Sequence, residues 1–393
     1  MKHRLPSVLL TALVLVLVLA AGAVVAGCGG DASTDTTVAP ATTATTTAQS
    51  GTETTAETTA TTVASTETTA FTGEVIKLKY ADQNAETGWV GKEAANPWLD
   101  QIEQVTGGQV KVERFFGQTL FPGKDTWESL KAGIADLAWC MHQYWANLTP
   151  LAEVVTLPFM PFESAEQAGA VAWQLYTEFP SMAEQFADNH PVALWASSPY
   201  YLLTTKKAVR APEDVKGLKI RAVGGPPTQL IEALGGVAVS MPMPDTYQAL
   251  QTGVLDGILT NWESLYSFRH YEVGKYLTVV PFCTGLFGIS FNNNSWNGLP
   301  DNVKTAIDSV SGLEGSKFWG HNMFDTAAAA VKKTAEEGGY KLEYITPTPE
   351  EIETVWKAQY GQPLWDKWVK DMEAAGHADA QAILDRCLEL IEQ

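Results

Sequence analysis

Arg221 ends the segment Gly217-Leu218-Lys219-Ile220-Arg221, and no residue of this chain is better placed for binding chemistry. Leu218, Ile220 and Ala222 alternate with Lys219, Arg221 and Val223, the period of a strand with one buried face. Gly224-Gly225-Pro226-Pro227 breaks that strand, and a helical apolar run through Leu230, Ile231 and Leu234 opens at Thr228. Strand, tight turn and helix in that order put a strand's carboxyl end beside unpaired helix N–H groups, where anions bind. A forked guanidinium at that place suits a carboxylate. The competing reading is a solvated surface arginine, the ordinary fate of the residue.

The elements around Arg221 sharpen the first reading. Residues 237–240 read as a second strand, and Met241-Pro242-Met243-Pro244 as an extended connection. Asp245 caps a helix through Leu250 that Gly253 closes, and 254–259 is a third strand ending at Thr260-Asn261-Trp262-Glu263. The same unit occurs earlier. Asp125, Thr126, Trp127, Leu130, Gly133 and Asp136 match Asp245, Thr246, Tyr247, Leu250, Gly253 and Asp256 at a constant offset of 120.

Other chemistries lack their residues. There is no Gly-x-Ser-x-Gly, His-Glu-x-x-His, Walker loop or Cys-x-x-Cys, and the 6 histidines show no metal-ligand spacing. No cofactor or metal is expected. The formal net charge of −19 argues against nucleic acid and against an anionic membrane surface as partners. It also makes a local cation necessary for holding an anionic ligand.

At the N-terminus, Lys2 and Arg4 precede an apolar run over 8–25 that ends Val25-Ala26-Gly27-Cys28. This reads as a secretory leader, 1–27, with Cys28 as the lipidated residue; a plain membrane anchor is the alternative. Cleavage removes those two cations and no acid, so the mature formal charge becomes −21. Residues 28–72 then form a Thr-rich disordered tether. Of the 4 cysteines, Cys140, Cys283 and Cys387 remain after lipidation, with their pairing open.

The run Arg-x-Pro-x-Asp-x-Lys-Gly-Leu-Lys-Ile-Arg over 210–221 and Ala-Leu-Gly-Gly over 233–236 resemble one known family. So do Met-Pro-Met-Pro-Asp-Thr-Tyr-Gln-Ala-Leu-Gln-Thr-Gly-Val-Leu-Asp-Gly over 241–257 and Tyr-Glu-Val-Gly-Lys-Tyr over 271–276. That family is the substrate-binding subunits of tripartite ATP-independent periplasmic (TRAP) transporters, specifically the DctP family, and the likeness runs loosely from Lys77 toward the C-terminus. The resemblance implies an α/β, two-lobed periplasmic-binding-protein-like fold with the ligand cleft between lobes, and gives Arg221 the role of carboxylate clamp. It also implies a receptor that catalyses nothing and delivers an organic acid to TRAP membrane permease subunits. A second family arginine is missing, since the corresponding region reads Pro199-Tyr200-Tyr201-Leu202-Leu203. A monocarboxylate is therefore expected, with Tyr201 standing where that arginine would.

In this frame the lobes are 73–198 plus 287–335 and 199–286 plus 336–393. Residues 192–201 and 282–292 cross between them, and 349–375 form one long helix. Trp139 to Trp145 would face Thr260 to Glu263 across the cleft. That makes Asn261 and Gln143 candidate polar contacts, and Trp139, Trp262 and Tyr201 candidate walls. Two rivals remain: a receptor for an ATP-driven importer or sensor, and a secreted hydrolase using Asp136, Asp256 and Glu263.

Overall fold

The structure, a computed structural model, describes residues 73–393; the expected leader, Cys28 and the tether lie outside the described residues. Among the described residues, the first sheet is built from β1 (Ile76–Ala81), β2 (Val110–Phe115), β3 (Leu137–Met141), β4 (Asn189–Ala196) and β10 (Leu286–Asn292). The second contains β5 (Tyr200–Thr204), β6 (Lys219–Arg221), β7 (Val237–Val239), β8 (Gly257–Thr260), β9 (Tyr276–Cys283) and β11 (Glu343–Ile345). Their orders are β2-β1-β3-β10-β4 and β11-β9-β5-β8-β6-β7. The molecule is thus mixed α/β in two lobes.

The chain changes sheet between β4 and β5 and returns between β9 and β10. The two crossings are tied together: Ser197 N donates to Gly285 O at 2.9 Å, and Gly285 N donates to Ser197 Oγ at 2.9 Å.

The 120-residue repeat is a real structural unit. Helix Thr126–Lys131 leads through Gly133 into β3, and helix Thr246–Thr252 leads through Gly253 into β8. Both glycines take positive φ, +75° and +78°, as a left-handed helix stop requires. The repeated aspartates act alike. Asp136 Oδ2 accepts from Lys79 N of β1 at 2.7 Å, and Asp256 Oδ2 accepts from Lys219 N of β6 at 2.9 Å. Each carboxylate therefore pins a parallel neighbour strand where the ladder has not yet begun. In both sheets the trio is parallel and the next two strand pairings beyond it are antiparallel.

Helix Gly225–Ala233 begins three residues earlier than its apolar period suggests. Pro226 and Pro227 fall in its first turn, where a missing N–H costs nothing. The long helix is present as a continuous helical run over 349–374 with a π-helical middle, Ile352–Gly361. Trp356 and Leu364 pack with Ile220, Leu202 and Phe282 of the second lobe. Trp365, Trp368 and Val369 pack with the first lobe, and the Trp365 indole donates to Pro158 O at 2.7 Å. One helix thus contacts both lobes.

Two parts of the expected division need correction. Helix Ala380–Ile391, grouped by sequence with the second lobe, packs through Ile383, Leu384 and Cys387 into the first-lobe core. Helix Thr326–Glu336, grouped with the first, places Val331 and Ala335 against Trp262 and Leu265 of the second. In both cases a return across the hinge was invisible, because amphipathic periodicity gives a helix an apolar face without saying which lobe receives it. Among the described residues no helix is long and apolar enough to cross a membrane. Cys140, Cys283 and Cys387 are buried and unpaired.

Candidate ligand-binding site

The carboxyl ends of β1 and β3 from one lobe meet the second lobe around a narrow inner chamber with about 20 Å³ of room for water. The first lobe supplies Gln83 and Asn84 after β1, Trp139 and Met141 of β3, Phe287 of β10, and Met323 and Phe324. The second supplies Tyr200, Met243, Glu263, Ser264 and Phe268. Gln83, Asn84 and Phe268 continue outward into a wider vestibule bordered by Trp89, Tyr247 and Arg269. The chamber walls are mainly aromatic and thioether groups. Trp139 and Phe287 lie with ring centroids 5.2 Å apart, and Phe287 and Phe324 5.4 Å apart.

Arg221 stands just behind this lining, at the end of β6, with only 1% of its surface exposed. Its Nε donates to Met241 O at 3.2 Å, and its Nη2 has no partner. No carboxylate among the described residues forms an ion pair with it. Its charge is felt nearby. Burial and then Arg221 push the His270 imidazole down to about 3, and Arg221 partly offsets the burial that raises Tyr200 and Cys283. A buried charge without a counter-ion is costly, and a ligand carboxylate removes that cost.

Two more of the expected site residues carry a buried donor without a partner. Asn261 caps helix Trp262–Ser267 by accepting from Ser264 N at 2.9 Å, which leaves its Nδ2 without an acceptor. The Trp139 indole Nε1 is likewise unpaired, on a residue that lines the chamber. Arg221, Asn261 and Trp139 are therefore three buried donors lacking an acceptor.

Gln143 is already occupied. Its Nε2 donates to Val223 O of the second lobe at 3.0 Å, and its Oε1 accepts from Leu286 N at 3.3 Å. It fastens the lobes together beside the cleft. Tyr201 and Trp262 do not line the chamber. They pack edge to face at 5.7 Å in the second-lobe core, and Trp262 continues to Tyr344 at 6.4 Å. Their chain neighbours Tyr200 and Glu263 take the chamber positions instead. In a strand, one residue of phase exchanges faces, and two adjacent tyrosines give no way to choose between phases.

Asp82, Gln83, Asn84, Phe268, Phe287 and Phe324 carried no local motif and were not singled out. A parallel strand end recurring on the first lobe pointed only to their neighbourhood. Glu263 is buried, with its carboxyl accepting from Ser267 Oγ at 2.5 Å and Ser264 Oγ at 3.1 Å. Asp136 and Asp256, the other carboxylates of the hydrolase alternative, are spent on strand pinning outside the chamber.

The sequence model of bacterial extracellular solute-binding protein, family 7 (DctP), matches residues 80–371. The chain belongs to this family. A family 7 relative, the C4-dicarboxylate-binding periplasmic protein DctP of Rhodobacter capsulatus, is 26% identical over 60% of this chain and 71% of its own. A TRAP solute-binding protein of Rhodoferax ferrireducens, solved with copurified benzoate, is 26% identical with a TM-score of 0.75. That match covers 81% of this chain and 98% of the other. A marine-metagenome TRAP protein specific for aromatic acids, solved with 3-hydroxybenzoate, is also 26% identical, with a TM-score of 0.74 over 81% and 99% of the two chains. The family 7 chain described here is accordingly a TRAP-type solute receptor.

Proposed function

We propose that this receptor captures a monocarboxylate with an aromatic or similarly apolar body and holds its carboxylate on Arg221, with Asn261 and Trp139 as additional donors. The observation that carries the reading is the shut-away guanidinium of Arg221 with no counter-ion. The aromatic chamber supports an apolar ligand body, and the benzoate and 3-hydroxybenzoate of the two solved relatives fit the same description. Tyr200, the chamber residue of the segment that lacks the second arginine, offers one phenol and no charge, which disfavours a second carboxylate. The bound acid passes to ion-driven TRAP permease subunits, and Cys28 ties the receptor to the membrane through lipid.

The test is calorimetric titration with benzoate, 3-hydroxybenzoate and succinate. A monocarboxylate is expected to bind and succinate to fail. Arg221→Ala removes one partner of a buried charge pair, worth roughly 2–5 kcal/mol, and is expected to abolish measurable binding. Arg221→Lys keeps the charge without the planar fork and recovers part of it. Lys219→Ala, on the exposed side of the same strand, leaves affinity unchanged. Binding within threefold of wild type in Arg221→Ala places the clamp elsewhere.

A further inference from the structure

The chamber has a second polar pole that the carboxylate clamp does not use. Glu263 lines it from the second lobe, and Asn84 lines it from the first, beside the buried Asp82. Asp82 accepts from Tyr80 OH at 2.6 Å and from Asn84 N and Nδ2 at 2.7 and 2.8 Å, and does not line the chamber. Glu263 does line it, and its two serine hydroxyls leave lone pairs on both oxygens. No cation pairs with Glu263 among the described residues, and its field is set by burial and by Asp82, which together hold its carboxyl up at about 7.

A buried carboxyl with free lone pairs on an otherwise aromatic space rewards a hydrogen-bond donor. We infer that Glu263 is a specificity residue that reads a hydroxyl group on the body of the bound acid, so that the ligand class is a hydroxylated aromatic monocarboxylate. This rests on the reading of the chamber as an aromatic-acid site. The ligand hydroxyl donates to Glu263 while its carboxylate accepts from Arg221. Sites that hydrogen-bond a ligand hydroxyl discriminate against the analogue lacking it. Here the serines keep Glu263 partly satisfied without ligand, so the discrimination is moderate.

The experiment compares benzoate with 3-hydroxybenzoate and 4-hydroxybenzoate by calorimetry on the wild type, Glu263→Leu and Glu263→Gln. In the wild type the better hydroxylated isomer is expected to bind at least tenfold tighter than benzoate. In Glu263→Leu the two should fall within threefold, with benzoate affinity kept or improved. Glu263→Gln preserves the shape and so guards against a folding defect in the Leu variant; its preference is expected to drop at least threefold. A wild type that does not distinguish the acids, or a preference unchanged in the variants, overturns the role of Glu263 and leaves the aromatic-acid site standing. Failure of all three acids to bind the wild type overturns both.

Discussion

Three buried carboxyls make this receptor's stability depend on pH in an unusual direction. Burial holds Glu153 up at about 8, Glu263 at about 7 and Asp82 at about 6. The folded protein therefore keeps protons that the unfolded chain releases above its ordinary carboxyl values, 4.5 for Glu and 3.8 for Asp. Their contribution is complete below those values and is lost as pH rises through 6, 7 and 8. His142 and His270 act in the opposite sense. Burial pushes both down to about 3, so the unfolded chain gains protons, and stability falls, as pH drops below 6.5. The sum places maximum stability on the acid side of neutrality, with a decline toward pH 8. Calorimetric melting of the ligand-free protein should show that decline, and Glu153→Gln should flatten it. A melting temperature that climbs from pH 6 to pH 8 would contradict the account. At this scale the family resemblance marked Arg221, whose burial without a counter-ion the local strand-and-turn pattern alone did not foretell. Tyr200 and Glu263 were not, since each sits next to a larger or equal aromatic and only strand phase and helix start separate them.

Among the elements, the turn between β6 and helix Gly225–Ala233 combines a glycine-only conformation with a close approach between the lobes. Gly224 has φ +91° and ψ −177°, a region open essentially to glycine. A Cβ there would lie 2.9 Å from Gln143 Cβ and Cγ, and Gln143 is the side chain fastening the lobes. Gly224→Ala should therefore cost about 1–3 kcal/mol from backbone strain alone. It should also weaken ligand binding by loosening the bond to Val223. The urea midpoint checks the first, and titration with the ligand found above checks the second; an unchanged midpoint would show that the turn relaxes freely. The repeated helix–glycine–strand unit was legible because its glycines and aspartates are required by geometry. The start of helix Gly225–Ala233 was hidden, because Gly-Gly-Pro-Pro signals a breaker and a helix first turn equally well.

At the scale of the molecule, the lobes meet through specific bonds beside the chamber. Gln143 reaches Val223, and Met243 N donates to Tyr144 OH at 3.3 Å. Trp89 and Tyr266 add an edge-to-face contact at 6.2 Å near the mouth. Lobes joined by two bonded crossings can hinge without parting, and helix 349–374 contacts both as they do so. The two-lobed plan was legible through linked motifs and the repeat. The lobe chosen by each late helix was not, because those helices return across the hinge without any local mark.

The placement of β10 has a temporal consequence. It lies between β3 and β4 and pairs with both, so the first sheet stays in two pieces until residues 286–292 are available. The second sheet needs no such late insertion: β5 to β9 come from one continuous stretch, and only the edge strand β11 arrives later. Closing a long loop before its contacts form is slow, whereas a stretch of neighbouring strands assembles sooner. The lobe that is second in the chain should thus be the first to fold, and the N-terminal strands should wait for it. Pulse-labelling hydrogen exchange during refolding should protect Leu202, Ile258 and Leu277 before Cys140, Leu194 and Ile289. Simultaneous protection, or the reverse order, would show that the halves of the first sheet find each other without their middle strand.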